Sequence, residues 1–384
     1  MKHVVLILLA ISISLCFAER GITNTLPDFH GICVGTAQQW IPESSSERTS
    51  QTSQFNREEW VLVDSLFFNQ YVHGHKMVGA MFNGDSLDAI TLQFMLISEA
   101  QAAIEKAPLW ARQELTNIFV QLDETSQFIW AEIINSATDP YIDEIAFSIA
   151  HSSVAWLQSQ YSYTQLIVDN AQMMYQYDTE LNYVNIVDYG SSTDEDYYST
   201  TSYAFEDSLG VVHWLETPRD IYYWYLVHPK ITDEVPSYIN PITPETPGHL
   251  INIEDPPIGV FWRDYLYNFS DVGYPVLRDS LLSCPVLWGG DGRTAMNEVH
   301  DWVNETMTFT SDYERRHQPV RIYKKHIGRC GEHADLTAAA ARSALIPCTS
   351  ILTLSGDHTW DEFWCDRWIT WEPVSNVVDD PMRY

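Results

Sequence analysis

Gly328-Arg329-Cys330-Gly331-Glu332 runs without a break into His333-Ala334-Asp335-Leu336-Thr337-Ala338-Ala339-Ala340-Ala341-Arg342-Ser343-Ala344-Leu345, a stretch of strong helix formers that Pro347 closes. The pattern predicts a helix with Cys330 at its N-terminus. Unsatisfied N–H groups and the positive end of the helix dipole meet there, and both favour a thiolate. After Pro347 the apolar alternation predicts three strands: Cys348 to Leu354, His358 to Trp364 and Arg367 to Glu372. Ser355-Gly356-Asp357 and Cys365-Asp366 provide the turns, and Pro373, which cannot donate to a ladder, ends the last strand. A cysteine-bearing helix against an antiparallel sheet is an α+β arrangement.

The last hairpin selects the partners of a thiol. Centred on Cys365, it sets His358 directly opposite Glu372, where facing Cβ atoms lie about 4.5–5.5 Å apart and a carboxylate can hold an imidazole N–H. Asp361 is three residues from His358 and alternates to the other face. Asp366 is about eight residues away, roughly 26 Å of strand. Cys330, His358 and Glu372 are therefore the candidate catalytic residues: nucleophile, base and orienting acid, the set that covalent acyl transfer needs. For an arbitrary Cys and His, a buried thiol and a satisfied core imidazole is the commoner situation. The helix-start position and the hairpin register together favour catalysis here.

Upstream, a helix is expected from about Thr294 to Thr308, with Val299, Trp302 and Val303 on one stripe. Trp302 is a candidate second donor to an oxyanion, beside the Cys330 backbone N–H, and an equally good core residue. From about Asp85 to Gln158 the apolar spacing is helical, with Asp85 or Ser86 opening the first helix and Asp139-Pro140 placed to begin another. Between about Tyr183 and Ile231, runs such as Tyr222-Tyr223-Trp224-Tyr225-Leu226-Val227 read as strands, followed by a Pro-rich stretch from Pro236 to Pro257. His73-Gly74-His75 has no further ligand at metal spacing and reads as a loop. The expected organisation is a signal peptide at 1–18, a polar extension at 19–55, a helical domain at 56–180, a β-rich and Pro-rich region at 181–285 and a catalytic domain at 286–384.

The first residues predict export. Lys2 and His3 precede an apolar run from Val4 to Ala18, which is too short for the roughly 20 residues a membrane span needs. The mature protein is expected to be secreted, periplasmic or extracellular and off the membrane. Its formal net charge of −31 repels phosphate backbones, so nucleic acid is excluded as a partner. Loss of the signal removes Cys16 and leaves Cys33, Cys284, Cys330, Cys348 and Cys365. In an oxidising compartment this odd set predicts two disulfides and one reactive thiol. A hairpin about Ser355-Gly356 brings Cys348 level with the Glu362 to Trp364 end, so a Cys348–Cys365 bridge is expected, with Cys33 pairing Cys284. Neither a metal nor a cofactor is implied, and oligomeric state is left open.

"GRCGEHADLTAAAARSALIPC", "GDHTWDEF" and "RWITWEP" together resemble the core of the transglutaminase-like superfamily, in which a catalytic Cys at a helix start faces a sheet carrying the His and an Asp. The Gly-Arg-Cys-Gly-Glu string and the Asp-His pair are most similar to the peptide N-glycanase branch. The resemblance implies a papain-like thiol fold, with Cys330 as nucleophile, His358 as base and Glu372 as third member. It departs from the family at Glu372-Pro373, where Asp is usual, and at His333, where the glycanase branch has an aromatic. The chain ends twelve residues after Glu372, which predicts an abbreviated sheet. The expected function is a secreted thiol hydrolase or acyl transferase acting on peptide or protein amide bonds. The alternatives are a cross-linking transglutaminase, a peptide N-glycanase-like amidase with a glycan groove near Trp360, Trp364 and Trp368, and an inert binding or structural module.

Overall fold

The computed structural model describes residues 68–72, 76–82, 87–93, 96–244, 252–290, 292–353, 358–375 and 377–380. The signal and extension, Cys33, His73-Gly74-His75 and Ser355-Gly356-Asp357 lie outside them. Strands β1 (Phe68–Val72), β2 (Lys76–Phe82) and β3 (Leu87–Gln93) form an antiparallel meander. The helix expected to open at Asp85 or Ser86 is thus strand β3, paired with β2 from Phe82↔Leu87 to Lys76↔Gln93. The spacing of Leu87, Ile90 and Phe94 suits a helix, but so short an apolar run also alternates, and tertiary pairing decides between the two.

The helices that follow are α1 (Ser98–Lys106), α2 (Arg112–Phe119), α3 (Glu124–Ser136), α4 (Ile142–Ala150), α5 (Val154–Leu157) and α6 (Thr164–Asp178). Every residue of α4 is buried, Asp143 and Glu144 included. Strands β4 (Val184–Tyr189), β5 (Tyr198–Glu206) and β6 (Val212–Glu216) make a second antiparallel meander. Helix α7 (Arg219–Tyr222) then passes into a single π-helical turn, Tyr223–Val227. This corrects the strand expected at Tyr222 to Val227. Tyr222, Tyr223, Leu226 and Val227 are buried while Trp224 is exposed, a spacing that winds rather than alternates.

The last third contains α8 (Trp262–Asn268), α9 (Leu277–Leu281), β7 (Trp288–Gly289), α10 (Ala295–Thr306), β8 (Thr308–Phe309), α11 (Pro319–Lys325), β9 (Ile327–Gly328) and α12 (Cys330–Ser343). Strands β10 (Cys348–Leu352), β11 (Thr359–Cys365), β12 (Arg367–Glu372) and β13 (Val377–Val378) follow in one antiparallel sheet, in sequence order. Thr294 caps α10, its Oγ1 accepting from the Asn297 N–H at 3.1 Å. Helix α12 is the centre of this region. It packs on β10 and β11, while α8, α10 and α11 pack on it. Ala338, Ala339, Ala340 and Ala341 are all fully buried, and their small side chains let neighbours approach on every side.

The chain is therefore mixed helix and sheet, with helices in the N-terminal part and antiparallel sheet in the C-terminal region. Ser98–Leu115 and Thr125–Tyr384 form one compact unit, and β1 to β3 belong to another with Thr116–Glu124. Within the larger unit, buried polar bonds tie early elements to α12. Tyr183 Oη donates to Ala344 O at 2.7 Å and Tyr203 Oη to Leu345 O at 2.5 Å. Arg263, fully buried on α8, donates to Asn170 Oδ1 at 2.8 Å, to Leu226 O at 2.6 Å and to Arg342 O. No helix among the described residues is long and apolar enough to cross a membrane.

Candidate active site

Cys330 is the first residue of α12, as the sequence predicts, and is half-buried. The Arg329 N–H donates to Glu332 Oε2 at 3.0 Å, so the glutamate of Gly-Arg-Cys-Gly-Glu closes the helix start on itself. Sequence reading missed this role, although an acid three residues past the cap is its usual signal. The approach to Cys330 is equally tight. A Cβ on Gly328 would stand 2.5 Å from Glu332 Cβ and 3.0 Å from Met307 Cε, whereas one on Gly331 would come no closer than 3.7 Å to Arg315. Only the first glycine is demanded by space.

His358 and Glu372 meet: His358 Nε2 lies 2.5 Å from Glu372 Oε2. The Val374 N–H donates to the other carboxylate oxygen at 3.1 Å, and Glu372 is fully buried. A carboxylate can only accept, so the pair fixes the imidazole proton on Nε2 and makes Nδ1 the basic nitrogen. The register differs from expectation. Pairing runs from Cys365↔Arg367 to Asp361↔Trp371, so the hairpin turns on Asp366 rather than Cys365. Asp366 takes φ 62°, the left-handed conformation that Asp tolerates. Glu372 is displaced by two residues from the position opposite His358. A shift of two preserves side-chain facing, and a diagonal neighbour remains within reach of two long side chains.

Along these strands Asp361, Phe363, Cys365, Ile369 and Trp371 alternate on one face and are all buried. Trp371 Nε1 donates to His300 Nδ1 on α10 at 2.7 Å. Asp361 is fully buried, with Ser350 Oγ donating to Oδ1 at 2.9 Å and no partner for Oδ2. Burial holds its carboxyl well above the usual range, against the pull of that hydrogen bond. His333, one turn after Cys330, is buried too, and burial lowers its pKa while the Thr308 backbone and the charges of Glu332 and Glu372 oppose the shift. Cys330 Sγ itself has no hydrogen-bond partner among the described residues, His358 included.

Beside the helix start opens a cleft of about 360 Å³ that includes Gly331, Glu332, Asp335, Ser350 and Thr359 in its walls. Asp335 accepts from Thr232 Oγ1 at 2.7 Å, which pins the 231–236 loop to α12. Residues 287–373 match the model of the transglutaminase-like superfamily. No curated protein matches the chain. The matched segment contains Cys330, His358 and Glu372, and the match is to the superfamily without preference for its peptide N-glycanase branch.

Two expectations need correction. Cys284, Cys330, Cys348 and Cys365 are all free thiols. Cys348 stands opposite Phe363, as expected, which leaves Cys365 on the diagonal. Diagonal partners are about 7–8 Å apart, beyond the roughly 4.4–6.8 Å between Cα atoms that a disulfide spans. Trp302 is 1% exposed, donates Nε1 to Pro275 O at 3.0 Å and stacks on Tyr323, so its N–H is committed to the core and is not an oxyanion donor.

Proposed function

We propose that residues 287–373 carry a secreted cysteine-dependent acyl transferase or hydrolase acting on peptide or protein amide bonds, with Cys330 as nucleophile, His358 as base and Glu372 as the acid that orients it. The observation that carries this reading is the 2.5 Å bond between His358 Nε2 and the buried Glu372 carboxylate, in a segment whose helix opens on Cys330. The superfamily match adds to it, since that superfamily is usually one of cysteine-dependent acyl transfer or hydrolysis. Attack of the thiolate on an amide carbonyl gives a tetrahedral oxyanion, for which the backbone N–H at the helix start is the natural donor. The imidazolium then protonates the leaving amine, and water or a second amine resolves the thioester. Secretion rests on the signal pattern at 1–18.

Thiol labelling tests the reading. Burial pushes Cys284 up to about 11, Cys365 up to about 12 and Cys348 well above the ordinary thiol range, so these three stay protonated and slow to react near neutral pH. Iodoacetamide is expected to alkylate Cys330 in preference to Cys284, Cys348 and Cys365, and His358→Ala should slow that labelling by at least about tenfold. Equal labelling in wild type and His358→Ala, read by peptide mapping, would leave an inert module instead. Release of ammonia from a glutamine peptide, with and without an added primary amine, distinguishes hydrolysis from cross-linking.

A further inference from the structure

A second cavity, of about 560 Å³, includes Asp233, Glu234, Val235 and Pro236 of the 231–236 loop in its walls. Asp233 lines both this cavity and the cleft beside the Cys330 helix, so the two adjoin at that residue. The loop is fixed on every side. Glu234 is buried and accepts from the Ile231 N–H at 2.5 Å and the Thr232 N–H at 2.9 Å. Gln318 Nε2 donates to Val235 O at 2.9 Å, Trp156 Nε1 to Pro236 O at 3.0 Å, and Arg342 Nη1 to Lys230 O at 3.0 Å. A cavity of this size with walls held by buried hydrogen bonds is preformed, as binding sites for compact organic groups usually are.

Its lining joins aromatic rings to three ionisable side chains of the loop, Lys230, Asp233 and Glu234, the last with its carboxylate taken up by the loop's own N–H groups. Trp156 and Tyr161 supply rings, and His151 and His228 supply imidazoles that are packed around Trp224 at 4.4 and 5.7 Å between centroids. His228 is locked in one tautomer: its Nδ1 accepts from the Lys230 N–H at 3.1 Å, which leaves Nε2–H to donate to His151 O at 3.4 Å. Burial lowers both imidazoles to about 4, with their mutual repulsion acting on His151 and the Arg342 charge on His228, so neither is a cation at neutral pH. The His151 ring makes aromatic contacts and no hydrogen bond among the described residues. It presents a neutral donor or acceptor to whatever enters.

We propose that this cavity is a specificity subsite, which takes an uncharged aromatic side chain of the same polypeptide whose amide bond is presented at Cys330. The inference rests on the function proposed above for Cys330, and goes beyond it in naming what the substrate must carry. A polypeptide is the occupant because the cavity adjoins the cleft beside the Cys330 helix at the exposed Asp233, so one extended chain can reach both, and an aromatic side chain finds rings to pack on in Trp156 and Tyr161.

The test uses full-length protein and glutamine-bearing decapeptides in which a single Phe, or Ser in its place, is moved along a Gly/Ser background. Wild type should process the best Phe peptide about tenfold more efficiently than its Ser counterpart, as expected for burying one phenyl ring. Ala155 lines the cavity from an exposed position, so Ala155→Trp fills it without disturbing the core. That variant should lose the Phe preference and keep wild-type efficiency on the Ser peptide. Binding of the fluorescein-labelled peptides by Cys330→Ser protein, read by polarisation, gives the answer without turnover. Preferential binding of the Phe peptide, abolished by Ala155→Trp, supports the subsite even if the wild type proves inert. Turnover with no Phe preference at any position, binding that ignores Ala155→Trp, or binding of free N-acetylphenylalaninamide but not of the peptides would each overturn it.

Discussion

At the residue scale the sheet holds two kinds of carboxylate a few positions apart. Glu372 has both oxygens engaged, by His358 and by the Val374 N–H, whereas Asp361 keeps one oxygen unpaired in the core. They should answer substitution differently. Glu372→Ala is expected to lower kcat by orders of magnitude while kcat for Glu372→Asp falls less, because removing an orienting acid leaves the base in the wrong tautomer. Thermal melts of the same variants check that the fold is intact. Asp361→Asn should keep activity and change the pH dependence of stability instead. Its folded pKa is raised above the ordinary 3.8, so the folded state holds a proton that the unfolded chain has released. The stability this gives is complete below pH 3.8 and declines as pH rises from there toward the folded pKa. Asparagine can still accept from Ser350 and carries no such penalty, so the melting temperature of Asp361→Asn relative to wild type should rise by roughly 2–4 °C between about pH 4 and pH 8. A constant difference across that range would contradict the burial argument.

At the element scale the start of α12 turns on two glycines of unequal duty. Gly328→Ala drives a methyl group into Glu332 Cβ and should cost about 1–3 kcal/mol, moving Cys330 and slowing its alkylation. Gly331→Ala meets no close atom inside a helix and should be neutral or stabilising by up to about 1 kcal/mol, as urea denaturation would measure. Sequence made much of this element legible, because Ala-rich composition, Pro347 and the flanking glycines are all local signals. The β10–β11 register and the third strand were legible for the same reason. The β11–β12 register was misplaced by two residues, although Asp366, of a residue type that tolerates the left-handed turn, is the local signal for the true centre, yet the pairing of His358 with Glu372 survived because facing repeats every two residues. Where the pattern was ambiguous, at β3 and at Tyr222 to Val227, tertiary partners decided: the neighbouring strand β2 for the first, and the distant Asp143 and Glu144 for the second. The same is true of His151 and His228: each is an isolated histidine in sequence, and only the folded chain brings them to the loop at 231–236 that packs on α12.

At the scale of the whole molecule, the regions of the larger unit are joined by buried polar bonds rather than by a linker. Arg263 alone holds Asn170, Leu226 and Arg342, residues drawn from the helical region, the π turn and α12. Chemical denaturation of the fragment 98–384 should therefore show one cooperative transition, followed equally by far-UV circular dichroism and by Trp fluorescence. The fragment 286–384 expressed alone should lack that transition, because it would expose the fully buried face of α12. A fragment 286–384 that melts cooperatively on its own would refute this.

The short strand β7 sharpens the point. Trp288 and Gly289 pair in parallel with Phe205 and Glu206, Leu287 N–H donates to Ala204 O at 2.7 Å, and Gly289, at φ 98°, leaves no room for a side chain against the Glu206 carbonyl. The segment with a recognisable ancestry thus begins in the middle of a sheet whose other strands lie outside that ancestry. For anyone recombining this protein with another, the seam of sequence similarity is the wrong place to cut: a transplanted 287–373 would arrive with one strand already missing its mate, and the recipient would have to offer a matching edge.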